Sequence, residues 1–101
     1  MRRAAILVLL CLAGCAAYIP VPDALMAGGD DARLADLRTG RDLYINKCSG
    51  CHALIPVDRF GLERWTREVD EMLHLKKLRL ADNDRRLLLD YLGTASKVPR
   101  P

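Results

Sequence analysis

The part of this chain able to fold by itself is short. Residues 4–13, AAILVLLCLA, form an unbroken apolar run behind Arg2-Arg3 and end at Gly14-Cys15. A bilayer-spanning helix needs about 20 apolar residues, so a run of this length behind a positive start reads as an export signal instead. Residues 16–32, AAYIPVPDALMAGGDDA, hold Pro20, Pro22, Gly28 and Gly29 and keep neither a helical nor a strand period. They read as a flexible tether, extended around Ile19-Pro20-Val21-Pro22. What remains is a unit over 33–93, a size that rarely closes a core unaided. One Trp, one Phe and three Tyr in 101 residues are few aromatics for the purpose. A buried group other than side chains is the expectation.

Charge excludes some partners. Lys and Arg number 16 against 13 Asp and Glu. Setting aside Arg2 and Arg3 leaves 14 basic against 13 acidic, too even for a surface that neutralises phosphates. No nucleic acid is expected, and there is no acidic excess of the kind that disorders a chain.

The pattern within 33–93 is all-α. A first helix over 33–47 carries Leu34, Leu37, Tyr44 and Ile45 at helical spacing, with Asp30 and Asp31 at its positive end. A second over 61–74 places Leu62, Trp65, Val69, Met72 and Leu73 on one stripe. A third over 82–92 takes Asp82 as cap, Leu87, Leu88, Tyr91 and Leu92 as its apolar face, and Gly93 as its stop. No segment alternates as a strand, and 94–101 reads as a frayed C-terminal tail.

Between the first two helices stands Cys48-Ser49-Gly50-Cys51-His52, the C-x-x-C-H pattern of covalent c-type haem attachment. Two thiols three positions apart on a tight turn can each add to one haem vinyl group, and the adjacent imidazole then faces the iron. Ser49 and Gly50 are small enough for the chain to pass the porphyrin edge. A Cys48–Cys51 disulfide would close so small a loop that it would stabilise almost nothing. A thioredoxin-like pair would need a βαβ setting. A zinc site from Cys48, Cys51, His52 and His74 has the ligand number, but adjacent ligands strain one tetrahedron. A chance occurrence is the third alternative. Leu54, Ile55, Pro56, Phe60 and Trp65 are candidates to line the ring. Arg59 could pair with a propionate, and a carbonyl near Pro56 could orient His52. Lys76, Lys77 and Arg79 form a basic cluster on a solvated face, which could also steer an acidic redox partner.

Two resemblances sharpen this. Leu12-Ala13-Gly14-Cys15 resembles the lipobox of bacterial lipoproteins, the alternative being an ordinary signal peptide with an incidental cysteine. The resemblance implies that 1–14, Cys11 included, is removed and that Cys15 is acylated. The domain would then sit on the periplasmic side of a membrane. Ala16-Ala17 in place of an aspartate favours the outer membrane. Several acyl chains would hold firmly where one binds marginally.

The remainder, 33–93, resembles the small monohaem class I c-type cytochromes. Gly40 and Tyr44 stand eight and four residues before Cys48, and Leu88 with Tyr91-Leu92 resembles the partner Leu-x-x-Tyr-Leu of the last helix. In that family the glycine lets the first helix cross the last closely. The resemblance implies a three-helix fold around one covalent haem c, thioether-bound by Cys48 and Cys51, with His52 as proximal ligand. Methionine usually fills the sixth site, and Trp65, Val69 and Met72 resemble the W-x-x-x-V-x-x-M run of a bacterial subgroup. Met72 is therefore the expected distal ligand, with His74 as alternative and Met26 set aside as part of the tether. In the best-known members that methionine lies in a loop near proline, unlike here. The implied function is a monomeric, membrane-tethered electron carrier, not an enzyme, serving periplasmic redox proteins. Alternatives are a haem subunit of an oxidoreductase, a small-gas sensor, or a helical lipoprotein that binds another protein without haem.

Overall fold

The structure, a computed structural model, describes residues 17–50 and 53–101. Among them all regular structure is helical: α1 (Asp31–Cys48), a 3-10 turn (Val57–Arg59), α2 (Leu62–His74) and α3 (Asp82–Ala95). The expected helices at 33–47, 61–74 and 82–92 are each present, longer or shorter by a few residues. No described helix is long and apolar enough to cross a membrane. The expected signal segment 1–14 and Cys15 lie outside the described residues, as do Cys51 and His52.

Helix α1 begins where Asp30 accepts the Ala32 and Arg33 N–H groups at 2.9 and 3.2 Å, which satisfies two of the donors a helix start leaves open. Two expectations at α3 are corrected. Asp82 does not cap it: Ala81 holds the cap position with no side-chain hydrogen bond, and Asp82 sits inside the first turn with Asp84. Nor does Gly93 stop it. The helix continues to Ala95, and Gly93 lies under Leu62 of α2, whose Cδ1 would stand 2.9 Å from a Cβ added there. The missing side chain serves a helix crossing rather than a helix end.

Helix α3 is the centre of the molecule. Leu87, Leu88, Leu89, Tyr91, Leu92, Gly93 and Ala95 are all buried, more than one apolar stripe supplies. This follows from its neighbours: α1, α2 and the 3-10 turn each pack on α3 rather than α1 on α2. The closest approach is at Gly40 of α1. A Cβ there would stand 2.3 Å from the Leu87 carbonyl oxygen and 2.6 Å from Tyr91 Cβ. Leu37 and Tyr44, one turn to either side of Gly40, are buried with it. Arg33 fastens the upper end, donating to Asp90 and Thr94 at 3.1 Å each.

The tether is the larger correction. The described part of 15–32 is laid against the helices. Tyr91 donates its hydroxyl hydrogen to the Pro20 carbonyl at 2.7 Å. Arg41 donates to the Ile19 carbonyl, and the Val57 N–H donates to the Tyr18 carbonyl at 2.9 Å. Pro22 is buried and Ala27 is only 2% exposed. Extended backbone around the two prolines leaves carbonyls unpaired within the segment, and side chains of α1 and α3 take them up. The tail is likewise fastened. Arg100 pairs with Asp58 at 2.5 and 2.8 Å and lies over the Tyr18 ring, while Tyr18 donates to the Val98 and Pro99 carbonyls. The Arg100 guanidinium holds the Asp58 carboxyl below the usual carboxylate range.

Gly40→Ala measures the crossing. Alanine ordinarily stabilises a helix over glycine by up to about 1 kcal/mol. Here the methyl group meets backbone that cannot rotate away, so a net loss of about 3 kcal/mol is expected, read as a lower urea midpoint with unchanged slope.

Candidate functional site: an apolar pocket between α1 and α2

Because α1 and α2 lean on α3 without a close approach of their own backbones, a wedge is left between them. It is lined by Tyr44 and Cys48 of α1, Ile55, Trp65, Val69 and Met72, with Glu68, Leu78 and Leu92 completing it. Tyr44 and Trp65 meet there edge to face, ring centroids 5.6 Å apart, and Phe60 also meets Trp65 edge to face at 5.1 Å. Such pairs are worth about 0.5–1.5 kcal/mol beyond area burial.

The polar atoms of these aromatics are tied to the segment that follows the cysteine motif. The Trp65 indole N–H donates to the Val57 carbonyl at 2.9 Å, and the Tyr44 hydroxyl donates to the Ile55 carbonyl. Val57, fully buried, is thus held by Tyr18 on one side and Trp65 on the other. The Pro56 carbonyl accepts the Arg59 N–H at 3.1 Å. The carbonyls of 55 and 57 thus accept from α1 and α2 and that of 56 from within the 3-10 turn; the expected orientation of His52 by a carbonyl near Pro56 falls on a residue outside those described. Burial, with Cys48 nearby as a lesser cause, pushes the Tyr44 phenol up to about 12.

The structure brings some sequence candidates together and separates others. Cys48, at the last position of α1, and Met72, in the last turn of α2, line the same pocket with Trp65. Leu54, Pro56 and Phe60 are half-buried around it without lining it, Ile55 being the wall residue of that segment. Arg59 is exposed on the 3-10 turn, outside the lining. His74 is exposed at the end of α2, also outside it. Met26, set aside as tether, is half-buried against the core. Among the described residues no three of His, Cys, Asp and Glu gather as a metal site.

Glu68 and Leu78 were not anticipated. Glu68 stands three residues after Trp65 and four before Met72, a spacing that shares their face; its charge hid it. Leu78 had no local signal. It returns because α2 ends in a reversal: Lys77 N–H donates to the Met72 carbonyl at 3.0 Å and Lys76 N–H to Leu73 at 3.1 Å, with Lys76 at φ 58°. This pairing is the Schellman arrangement, which favours glycine at the left-handed position. It fastens the Met72 backbone and turns Leu78, 6% exposed, back into the pocket wall.

Two measurements check this geometry. Lys76→Gly relieves the left-handed lysine and should stabilise the fold by about 0.5–1 kcal/mol, seen as a higher urea midpoint. The Tyr44 phenol should titrate near 12 against its usual 10, followed by ultraviolet difference absorbance against Tyr44→Phe. Since the folded state holds the neutral phenol more tightly, its contribution is complete below pH 10 and is lost as pH rises from 10 to 12.

Comparison with family models, with curated proteins and with solved structures found no match to this chain.

Proposed function

We propose that this chain is a lipid-anchored electron carrier of the periplasm, holding one covalent c-type haem in the pocket between α1 and α2. The observation that carries the reading is the meeting of Cys48 and Met72, twenty-four positions apart, on one apolar pocket. Cys48 opens C-x-x-C-H, and a thioether sulfur is a soft ligand suited to haem iron. Further support comes from the Gly40 crossing, which lies where the cytochrome resemblance calls for one.

In donor chemistry the residues fit. Cys48 and Cys51 are the covalent attachment points, His52 the proximal ligand and Met72 the distal one. The lining is otherwise apolar apart from Glu68, whose carboxylate pairs with Arg64 at 3.2 Å. In volume the pocket is tight, about 60 Å³, against roughly 300–1,000 Å³ for cofactor sites. A macrocycle therefore requires one wall to stand outward. On that wall stands Ile55, which follows the motif and whose carbonyl accepts from the Tyr44 hydroxyl.

Haem, when bound, supplies a one-electron iron couple. The chain's own part is to exclude water from that couple with Trp65, Val69, Leu78 and Leu92, and to present Met72 from a helix end whose carbonyl is fixed by Lys77. A rigid ligand set keeps reorganisation small, and methionine ligation raises the potential.

Absorption spectra of the full chain, made in a bacterium that matures c-type cytochromes, test this. A pigment that stays with the polypeptide after denaturation is expected, and its loss in Cys48→Ser/Cys51→Ser. Met72→Ala should abolish the weak far-red ferric band that marks methionine sulfur on iron and lower the potential. Absence of any covalent pigment in the wild-type chain overturns the proposal.

A further inference from the structure

The structure describes Tyr18 onward as fastened to the domain, and this changes what an anchor at Cys15 would do. We infer that the face formed by residues 18–27 seats directly on the lipid surface and fixes the orientation of the domain there. The inference rests on the lipid-anchor reading of Cys15 and goes beyond it.

Chain length is the first argument. Only three steps separate Cys15 from Tyr18, about 10 Å even at full extension. Tyr18, Ile19 and Pro20 are held by Val57, Arg41 and Tyr91, so no slack follows. A domain on a free tether of 15–32 could turn in any direction; one held at Tyr18 cannot leave the headgroup region.

Surface chemistry is the second. Four large apolar side chains are prominently exposed among the described residues: Val21 at 66%, Leu25 at 90%, Leu62 at 49% and Leu75 at 52%. The two most exposed fall within this one segment, three to seven positions past Tyr18. Leu25 stands in a turn closed by Asp23, whose carboxylate accepts the Met26 N–H at 2.9 Å, and by Gly29 N–H donating to Ala24 at 2.9 Å. The turn thus presents Leu25 outward on a rigid base. An apolar side chain so placed is suited to the boundary between headgroups and acyl chains. Exposed Asp23, Asp30 and Asp31 offset Arg33 and Lys97 beside Leu25, so the seating is by apolar insertion and gains little from anionic lipid. The groove beside Leu25, lined by Met26, Arg33, Lys97 and Pro99 among others, shares no residue with the pocket of Cys48 and Met72. Seating this face therefore covers none of that pocket's lining.

The acylated full chain in phosphatidylethanolamine–phosphatidylglycerol vesicles provides the test. An environment-sensitive fluorophore is placed at Leu25→Cys or, separately, at Leu75→Cys, and quenched by lipids brominated in their acyl chains. Quenching at position 25 at least threefold that at position 75, little altered by the phosphatidylglycerol fraction, is the expected result. Protein that floats with the vesicles but is quenched equally and weakly at both positions overturns the inference and leaves the anchor intact. Protein that does not float, with no acyl mass on Cys15, overturns the anchor and this inference together.

Discussion

The close approach of α1 to α3 at Gly40 is the contact on which the remainder of the structure depends. With backbone against backbone, the Leu87 carbonyl and Tyr91 Cβ occupy the space a side chain at 40 would need. That closeness buries Leu37 and Tyr44 on one helix and Leu88, Tyr91 and Leu92 on the other. It also sets the height at which Cys48 emerges from the end of α1. A wider crossing would leave Tyr44 short of Ile55 and Trp65, and the pocket would lose its floor.

From that crossing the pocket follows almost as a remainder. Both flanking helices press on α3, and among the described residues the space between them is met by side chains reaching inward. The aromatics, few as they are, form one continuous line there, Tyr44 to Trp65 to Phe60. The other two, Tyr18 and Tyr91, tie down the N-terminal segment through their backbone partners. Each ring thus contributes a hydrogen bond or a ring contact as well as area, which is how so small a set supports a fold.

The shortage of core material is also met from an unexpected quarter. Residues 18–27 and the tail to Arg100 close over α1 and α3, contributing Pro22, Ala27 and the Asp58–Arg100 pair. The folding unit is therefore longer than 33–93. The exposed Asp58–Arg100 pair adds little by itself, but with the Tyr18 ring beneath Arg100 it joins N-terminal segment, 3-10 turn and tail in one place.

Local chemistry determined the helices, their faces and the cysteine motif. Leu37 and Tyr44, Trp65 and Val69, and Leu88 with Leu92 recur at spacings that only a helix can bury, and Asp30 marks a start by what its carboxylate can accept. Gly40 was legible as a crossing because its place relative to Tyr44 and Cys48 could be set against Leu88 and Tyr91. Tertiary structure alone decided the rest. Nothing in Ile19-Pro20-Val21-Pro22 shows that Arg41 will bind the first carbonyl and Tyr91 the second, since those partners are 22 and 71 residues distant. Gly93 resembles a stop until Leu62 is seen above it, and Lys76 gives no sign of the left-handed turn that returns Leu78. A period reports which residues avoid water; which surfaces meet depends on backbone groups seeking partners across the whole fold, and that search leaves no local trace.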